Sequence, residues 1–241
     1  MKTMQHINFV SSTNDHLKEQ VKKSNLLEGF TVYTDFQTTG KGQSGNMWES
    51  EKGKNLLFSI VIYPKKIEIE KQFLISKMVS VAVQQALEEY VEGIKIKWPN
   101  DIYYQNKKLG GILIESSLQS NHIRYTIIGV GLNINQTRFN PLLPNPVSLK
   151  MITGKSYRRI MLLKKIRQHF FTLYNDSDNE TINRIYFENL YRSVGYHNYR
   201  IGLGPIFAAK ILKVHESGEL TLEKANGEIL NFYFKEVEFV H

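Results

Sequence analysis

The 241-residue sequence has no cysteine. That excludes a disulfide scaffold, a cysteine nucleophile and thiolate-ligated zinc, and it is compatible with a reducing compartment. No stretch approaches the roughly 18 consecutive apolar residues of a membrane-spanning helix. The opening MKTMQHINFVSSTNDHLKEQ lacks an apolar segment behind a basic start, so no export signal is read there. A soluble, cytoplasmic protein without a membrane partner is expected. Internal repeats and low-complexity segments are also missing. What is present is a globular composition, 41% hydrophobic, 12% aromatic and 22% charged, in a length that suits one large domain or a medium one with a small one.

Residues 97–115 read KWPNDIYYQNKKLGGILIE. Ile94, Ile96 and Trp98 alternate with Lys95 and Lys97, and Leu109, Ile112 and Ile114 mark the far end. Pro99-Asn100-Asp101 and Asn106-Lys107 carry turn chemistry, so the expected run is strand, corner, short strand, turn, strand. Asp101 then sits at the first corner, Lys108 leaves the second turn, and Gly110-Gly111 let a ligand approach the backbone. A carboxylate, an ammonium and bare main chain suit a site for phosphate and a metal ion. Taken alone, the same residues also describe a surface hairpin with solvated lysines and a capping aspartate.

Upstream, Gly40, Gly42 and Gly45 form a G-x-G-x-x-G loop between a strand predicted over 31–36 and a buried strand over 55–63. The dinucleotide fold needs a helix directly after such glycines and an acidic residue about 20 positions on. Asn46-Met47-Trp48-Glu49 leads into another strand instead. What survives is an anion-binding concavity of successive N–H groups, with Lys41 adding positive charge.

The remaining chain is punctuated as follows. Residues 5–10 read as an opening strand, and Ser12-Thr13-Asn14-Asp15 offers capping oxygens to a helix carrying Leu17 and Val21 and ending near Ser24. Residues 71–91 carry a helical apolar stripe whose methionine and aromatic positions are core. Residues 124–132 form a buried strand in which Gly129 and Gly131 imply a bulge or a close ligand approach. Residues 135–155 show no period and read as a long, functional loop. Helices are predicted over 157–175 and 180–191, and short strands separated by Gly-rich turns from 199 onwards.

Four blocks, in order, resemble the biotin protein ligases: Ser12-Thr13-Asn14; Gln37-Thr38-Thr39-Gly40-Lys41-Gly42-x-x-Gly45-x-x-Trp48; Lys97-Trp98-Pro99-Asn100-Asp101 with Lys108 to Glu115; and Ile128-Gly129-Val130-Gly131-Leu132-Asn133. The resemblance implies an α+β fold: a class II aminoacyl-tRNA synthetase/biotin synthetase-like catalytic domain over residues 1–194, then a small SH3-like β-barrel over 195–241. It implies a ligase that activates biotin with ATP as biotinyl-5′-AMP and passes the biotinyl group to a lysine of a biotin carboxyl carrier protein. Ser12, Thr13 and Asn14 would line the pocket for biotin's fused ring, Gly129 would back that ring, and Asn133 would contact the adenine side. Gln37, Gly40, Gly42, Gln43, Trp48, Gly110, Gly111 and Gly131 complete the expected ligand-binding set. Lys108 would bridge the biotin carboxylate and the α-phosphate, and Lys41 would hold phosphates with the loop amides. Asp101 would position Mg²⁺, or else orient the attacking lysine or take its proton. Residues 135–155 would cover the nucleotide, with Phe139 and Leu142 against adenine.

The sequence departs from the family pattern in two places. Many members carry Gly-Arg-Gly-Arg-x-Gly-Arg, whereas Lys41 keeps the charge and loses the guanidinium fork, and Gln43 loses the charge, which bears on how tightly the adenylate is retained. The closing Gly-Glu-Val is represented by Lys235-Glu236-Val237, so a glycine is missing and a different turn is open there. With the Ser-Thr-Asn block at residue 12, no room is left ahead of it for the helix-turn-helix of repressor members, and a ligase without DNA binding is expected. The net charge of +8 lies partly in YRRIMLLKKIRQ (157–168), which reads as a solvated helix face. It would also draw a nucleotide, pyrophosphate or an acidic carrier. The rival readings are a lipoate–protein ligase and a basic nucleic-acid-binding module. Apolar strand edges allow a homodimer without demanding one.

Overall fold

The computed structural model describes residues 3–240. Strands β1 (Met4–Val10) and β2 (Thr31–Gln37) run parallel, joined by helix α1 (Thr13–Lys23). The Ser12 hydroxyl caps that helix by accepting from the Asp15 amide at 3.4 Å, which satisfies an amide with no helical partner. Strand β3 (Leu56–Ile62) follows the glycine loop, and helix α2 (Phe73–Glu88) precedes β4 (Ile94–Lys97), β5 (Asp101–Tyr104), β6 (Lys107–Gln119) and β7 (His122–Leu132). These seven strands form one sheet in the order β1-β2-β3-β7-β6-β5-β4, antiparallel apart from the first pair. The strand, corner, strand, turn, strand expectation for 94–115 is met, and the last strand runs on to Gln119.

Two-residue periodicity sends successive side chains to opposite faces, and β3 is buried at every position because both of its faces are covered. Leu56, Phe58, Ile60 and Ile62 enter the main core, with α2, α4 (Arg159–Asp176) and α5 (Asn179–Glu188), whereas Val61 joins Leu17, Val32 and Ile127 under α1. The segment 135–155 is not wholly irregular: Ser148 caps a short helix, α3 (Leu149–Thr153). On α4 the basic residues are not simply a solvated face. Arg159 pairs with Asp35 at 2.7 Å, Lys165 with Glu89, and Arg167 donates to the Gly29 carbonyl and to Thr31.

From residue 197 on, β8 (His197–Arg200), β9 (Ile206–Val214), β10 (Leu220–Lys224), β11 (Ile229–Phe232) and β12 (Glu238–Phe239) form an antiparallel sheet in the order β11-β10-β9-β8-β12, consistent with a small SH3-like unit. Tyr199, Ile211, Leu220 and Phe239 share one core with the larger sheet. Polar contacts fix the junction. Trp98 Nε1 donates to the Gly218 carbonyl at 2.9 Å, and Lys77 Nζ donates to the Val214 carbonyl at 2.6 Å and to Asn183 Oδ1 at 2.7 Å. Burial pushes the Lys77 amine down to about 8. In the turn before β12, Lys235 adopts φ 71°. The turn keeps a glycine-type conformation with a lysine in it. No helix among the described residues is long and apolar enough to cross a membrane.

Candidate active site

Helix α1 covers only part of its face of the large sheet. Beyond the helix N-terminus the side chains on that face shrink to glycine, and a cavity of about 590 Å³ opens there. Register explains its composition: Lys97 pairs with Asp101, Asp101 with Gly111, and Gly111 with Gly131, so one rung crosses β4, β5, β6 and β7. All four residues line the cavity.

Ser12, Thr13 and Asn14, all buried, form the end of the cavity beneath α1. Thr13 donates its amide (2.8 Å) and its hydroxyl (3.0 Å) to Gln37 Oε1. The Ser59 hydroxyl lies 2.7 Å from Thr13 Oγ1 and 2.5 Å from Asn14 Oδ1, and Asn14 Nδ2 donates to Glu115 at 2.7 Å. A Cβ on Gly129 would lie 2.9 Å from Asn14 Cγ, and one on Gly131 would lie 2.6 Å from Trp48 Cε2. The register of β7 against β3 runs unbroken through both glycines. Of the two alternatives read from the sequence the bulge is therefore absent. Their bareness admits the Asn14 and Trp48 side chains.

The glycine loop folds over this floor. Gly42 donates to the Asn46 carbonyl at 2.7 Å, Trp48 donates to the Gly40 carbonyl at 2.9 Å, and residues Gln43–Gly45 make a tight turn at the tip. Lys41, Gly42, Gln43 and Trp48 line the cavity. Three residues of the expected ligand-binding set do not, and neither do Phe139 and Leu142. Gly40 opens on a neighbouring cleft, Gly110 packs against Leu132, and the buried Asn133 spends its side-chain amide on the Val147 carbonyl at 3.2 Å.

Each expected catalytic amine has its own carboxylate. Lys41 Nζ lies 2.7 Å from Asp15, and the bond to that carboxylate raises the proton affinity of the amine. Lys108 Nζ lies 2.6 Å from Asp101 Oδ1 and 5.9 Å from the centre of the Trp48 ring. Asp101 Oδ1 is buried and, despite the close ammonium, accepts no well-aligned hydrogen bond. Among the described residues no group of three or more His, Cys, Asp or Glu side chains could hold a metal on its own. A single carboxylate, that of Asp101, is compatible with Mg²⁺, which takes few protein ligands.

Sequence reasoning gave Lys97 and Lys235 no role, yet both line the cavity. Lys97 donates to the Tyr103 hydroxyl at 3.1 Å, and burial holds its amine below the usual lysine range while Asp101 opposes the effect. The alternation of residues 94–98 already set Lys97 on the face opposite Ile96. What it lacked was the register that aligns it with Asp101.

The family model that matches the chain is that of the biotin/lipoate A/B protein ligase family, over residues 6–133, more than half the sequence. The chain belongs to this family. Within the ligase family it is 30% identical to the bifunctional ligase/repressor BirA of Bacillus subtilis, over 97% of this chain and 74% of that protein. It is 27% identical to the human biotin–protein ligase, over 85% of this chain and 30% of that protein. Among solved ligase structures it is similar to the biotin protein ligase of Aquifex aeolicus in complex with biotin and ATP, with a TM-score of 0.79, 27% identity and full coverage of both chains.

Proposed function

We infer that this chain is an ATP-dependent biotin–protein ligase. The observation that carries the reading is the shared cavity. Lys41 from the glycine loop and Lys108 from β6 face one space floored by Gly111, Gly129 and Gly131, with the Ser12 to Asn14 end closed by α1. The named relatives, and the biotin and ATP bound by the Aquifex protein, support the same substrates here.

In this reading the biotin carboxylate attacks the α-phosphate, pyrophosphate leaves, and the acyl-adenylate is held until a lysine of a biotin carboxyl carrier protein attacks the carbonyl and AMP departs. Both steps place negative charge on phosphate oxygens, which positioned ammonium and N–H groups stabilise. Lys108 sits where carboxylate and α-phosphate meet, and Lys41 with the Gln43 amide grips the adenylate from above. Each amine exchanges its carboxylate for a phosphate oxygen when substrate enters. For the half-exposed Lys41–Asp15 pair the exchange costs little, since such pairs contribute about 0–1 kcal/mol. Asp101 and the substrate phosphates would hold Mg²⁺, which supplies charge neutralisation. Released from Lys108, Asp101 also lies beside the path of the incoming acceptor amine. We place the boundary of the small C-terminal unit near residue 195, where Gly195 takes φ 81°.

The test is ATP–pyrophosphate exchange by the purified protein. Exchange that requires biotin supports the reading. Exchange that requires lipoate, or none with either acid, refutes it.

A further inference from the structure

The cavity does not end at Lys108. Across the sheet, Ser59 and Gly129 on β3 and β7 mark the end under α1, Lys108 Cε lies 3.6 Å from the position of a Cβ on Gly111 in β6, and Lys97 stands on β4, the edge strand. Beyond Lys97 the wall is Trp98, Phe234 and Phe239, with ring centres 5.6 Å apart for Trp98 and Phe234, and the turn carrying Lys235. This end holds two cations without a carboxylate partner among the described residues. Lys97 touches the Tyr103 hydroxyl and lies 5.4 Å from the Phe239 ring centre, and Lys235 is exposed with no contact to an acid. The nearby acids are engaged: Asp101 pairs with Lys108, and Glu238 lies 2.6 Å from Arg200.

We propose that Lys97 and Lys235 form a polyphosphate subsite that holds the β- and γ-phosphates of the nucleotide and then the departing pyrophosphate. The proposal rests on the ligase reading and extends it. In the first step a carboxylate oxygen bonds to the α-phosphorus, the bond from that phosphorus to the β-bridging oxygen breaks, and its electron pair leaves on pyrophosphate. Attacking and leaving oxygens lie roughly in line. With biotin at the α1 end and the α-phosphate at Lys108, the leaving group points across β5 towards β4, where Lys97 and Lys235 are. The backbone supports the same reading. A non-glycine residue at φ 71° is held against its intrinsic preference, and glycine would relieve that strain while deleting the charge.

Lys235→Gly is therefore a test that does not depend on damaging the fold. The Lys235→Gly protein is expected to unfold at no lower a temperature than wild type, to raise KM for ATP and for pyrophosphate in the exchange reaction about three- to tenfold, and to bind inorganic pyrophosphate more weakly in a calorimetric titration. Lys97→Met raises both KM values about tenfold or more, as for loss of a charge-assisted hydrogen bond, and Lys235→Arg restores them. Transfer from supplied biotinyl-5′-AMP, which contains no pyrophosphate, changes less than twofold. A folded Lys235→Gly protein with wild-type KM values and pyrophosphate binding overturns the subsite, as does an equal loss in transfer from supplied adenylate. A wild-type protein that shows no biotin-dependent exchange refutes the ligase reading instead, and the pyrophosphate titration still decides the subsite.

Discussion

Lys108 and Asp101 lie 2.6 Å apart between neighbouring strands, at the centre of the cavity and with most of both side chains out of water. The pair is a preformed cation held by a carboxylate that can be displaced. Lys108→Met is expected to lower biotinyl-adenylate formation about 10²-fold, the usual loss for one oxyanion-type contact, in single-turnover assays with labelled ATP. Lys41→Ala, from a half-exposed position, is expected to lose about tenfold because solvent screens it more strongly. Wild-type rates in the double variant would refute both assignments.

Gly131 and Gly111 should respond differently to the same added methyl group. At Gly131 the Cβ meets Trp48 at 2.6 Å, whereas at Gly111 the nearest atom, on the same indole, is 3.4 Å away. Gly131→Ala is expected to cost about 1–3 kcal/mol by overpacking, measured by urea denaturation, and to change the Trp48 emission in a Trp98→Phe background. Gly111→Ala keeps near-native stability and weakens adenylate binding by entering the cavity. Equal stability of the two variants would contradict this account of the Trp48 seat.

Lys77 gives stability a pH dependence with a definite sign. Its amine titrates at about 8 in the folded protein against 10.5 in an ordinary lysine. Between those values the unfolded chain holds a proton that the folded chain has lost, so stability rises with pH through the window. Below pH 8 both states are protonated and the full penalty of the buried charge remains, at most about 3 kcal/mol. Melting temperatures of wild type should rise relative to Lys77→Met from pH 8 to 10.5. A constant difference would contradict the assignment.

Residues 136–147 carry Phe139 and the almost fully exposed Leu142, and Pro144 and Asn145 line the cavity. If this stretch covers the nucleotide, Phe139→Ala raises KM for ATP several-fold, and biotin with ATP slows proteolysis of the loop. Unchanged ATP affinity in Phe139→Ala would discard that role.

Much of this architecture was legible because local rules sufficed. Alternation and turn chemistry gave the strands around residues 97–115, the Ser12 cap gave the start of α1, and the apolar stripe gave α2. Glycine in an apolar strand marks Gly129 and Gly131 as a bulge or a close ligand approach, and periodicity cannot say that side chains approach instead: Asn14 at Gly129 and Trp48 at Gly131 are long-range neighbours. Asn133 and Gly110 carry motif positions whose groups the fold turns towards Val147 and Leu132. Lys235 was visible only as a missing glycine. Its meaning depends on a positive φ and on a wall built from two distant parts of the chain.

The most direct test of the central claim is a crystal structure of the protein with a non-hydrolysable biotinyl-5′-AMP analogue. The account predicts one ligand in the cavity, with Lys41 Nζ released from Asp15, Lys108 Nζ released from Asp101, and both within about 2.7–2.9 Å of its phosphate or acyl oxygens. An occupied cavity in which both amines stay on their carboxylates, or a ligand bound elsewhere, would contradict it.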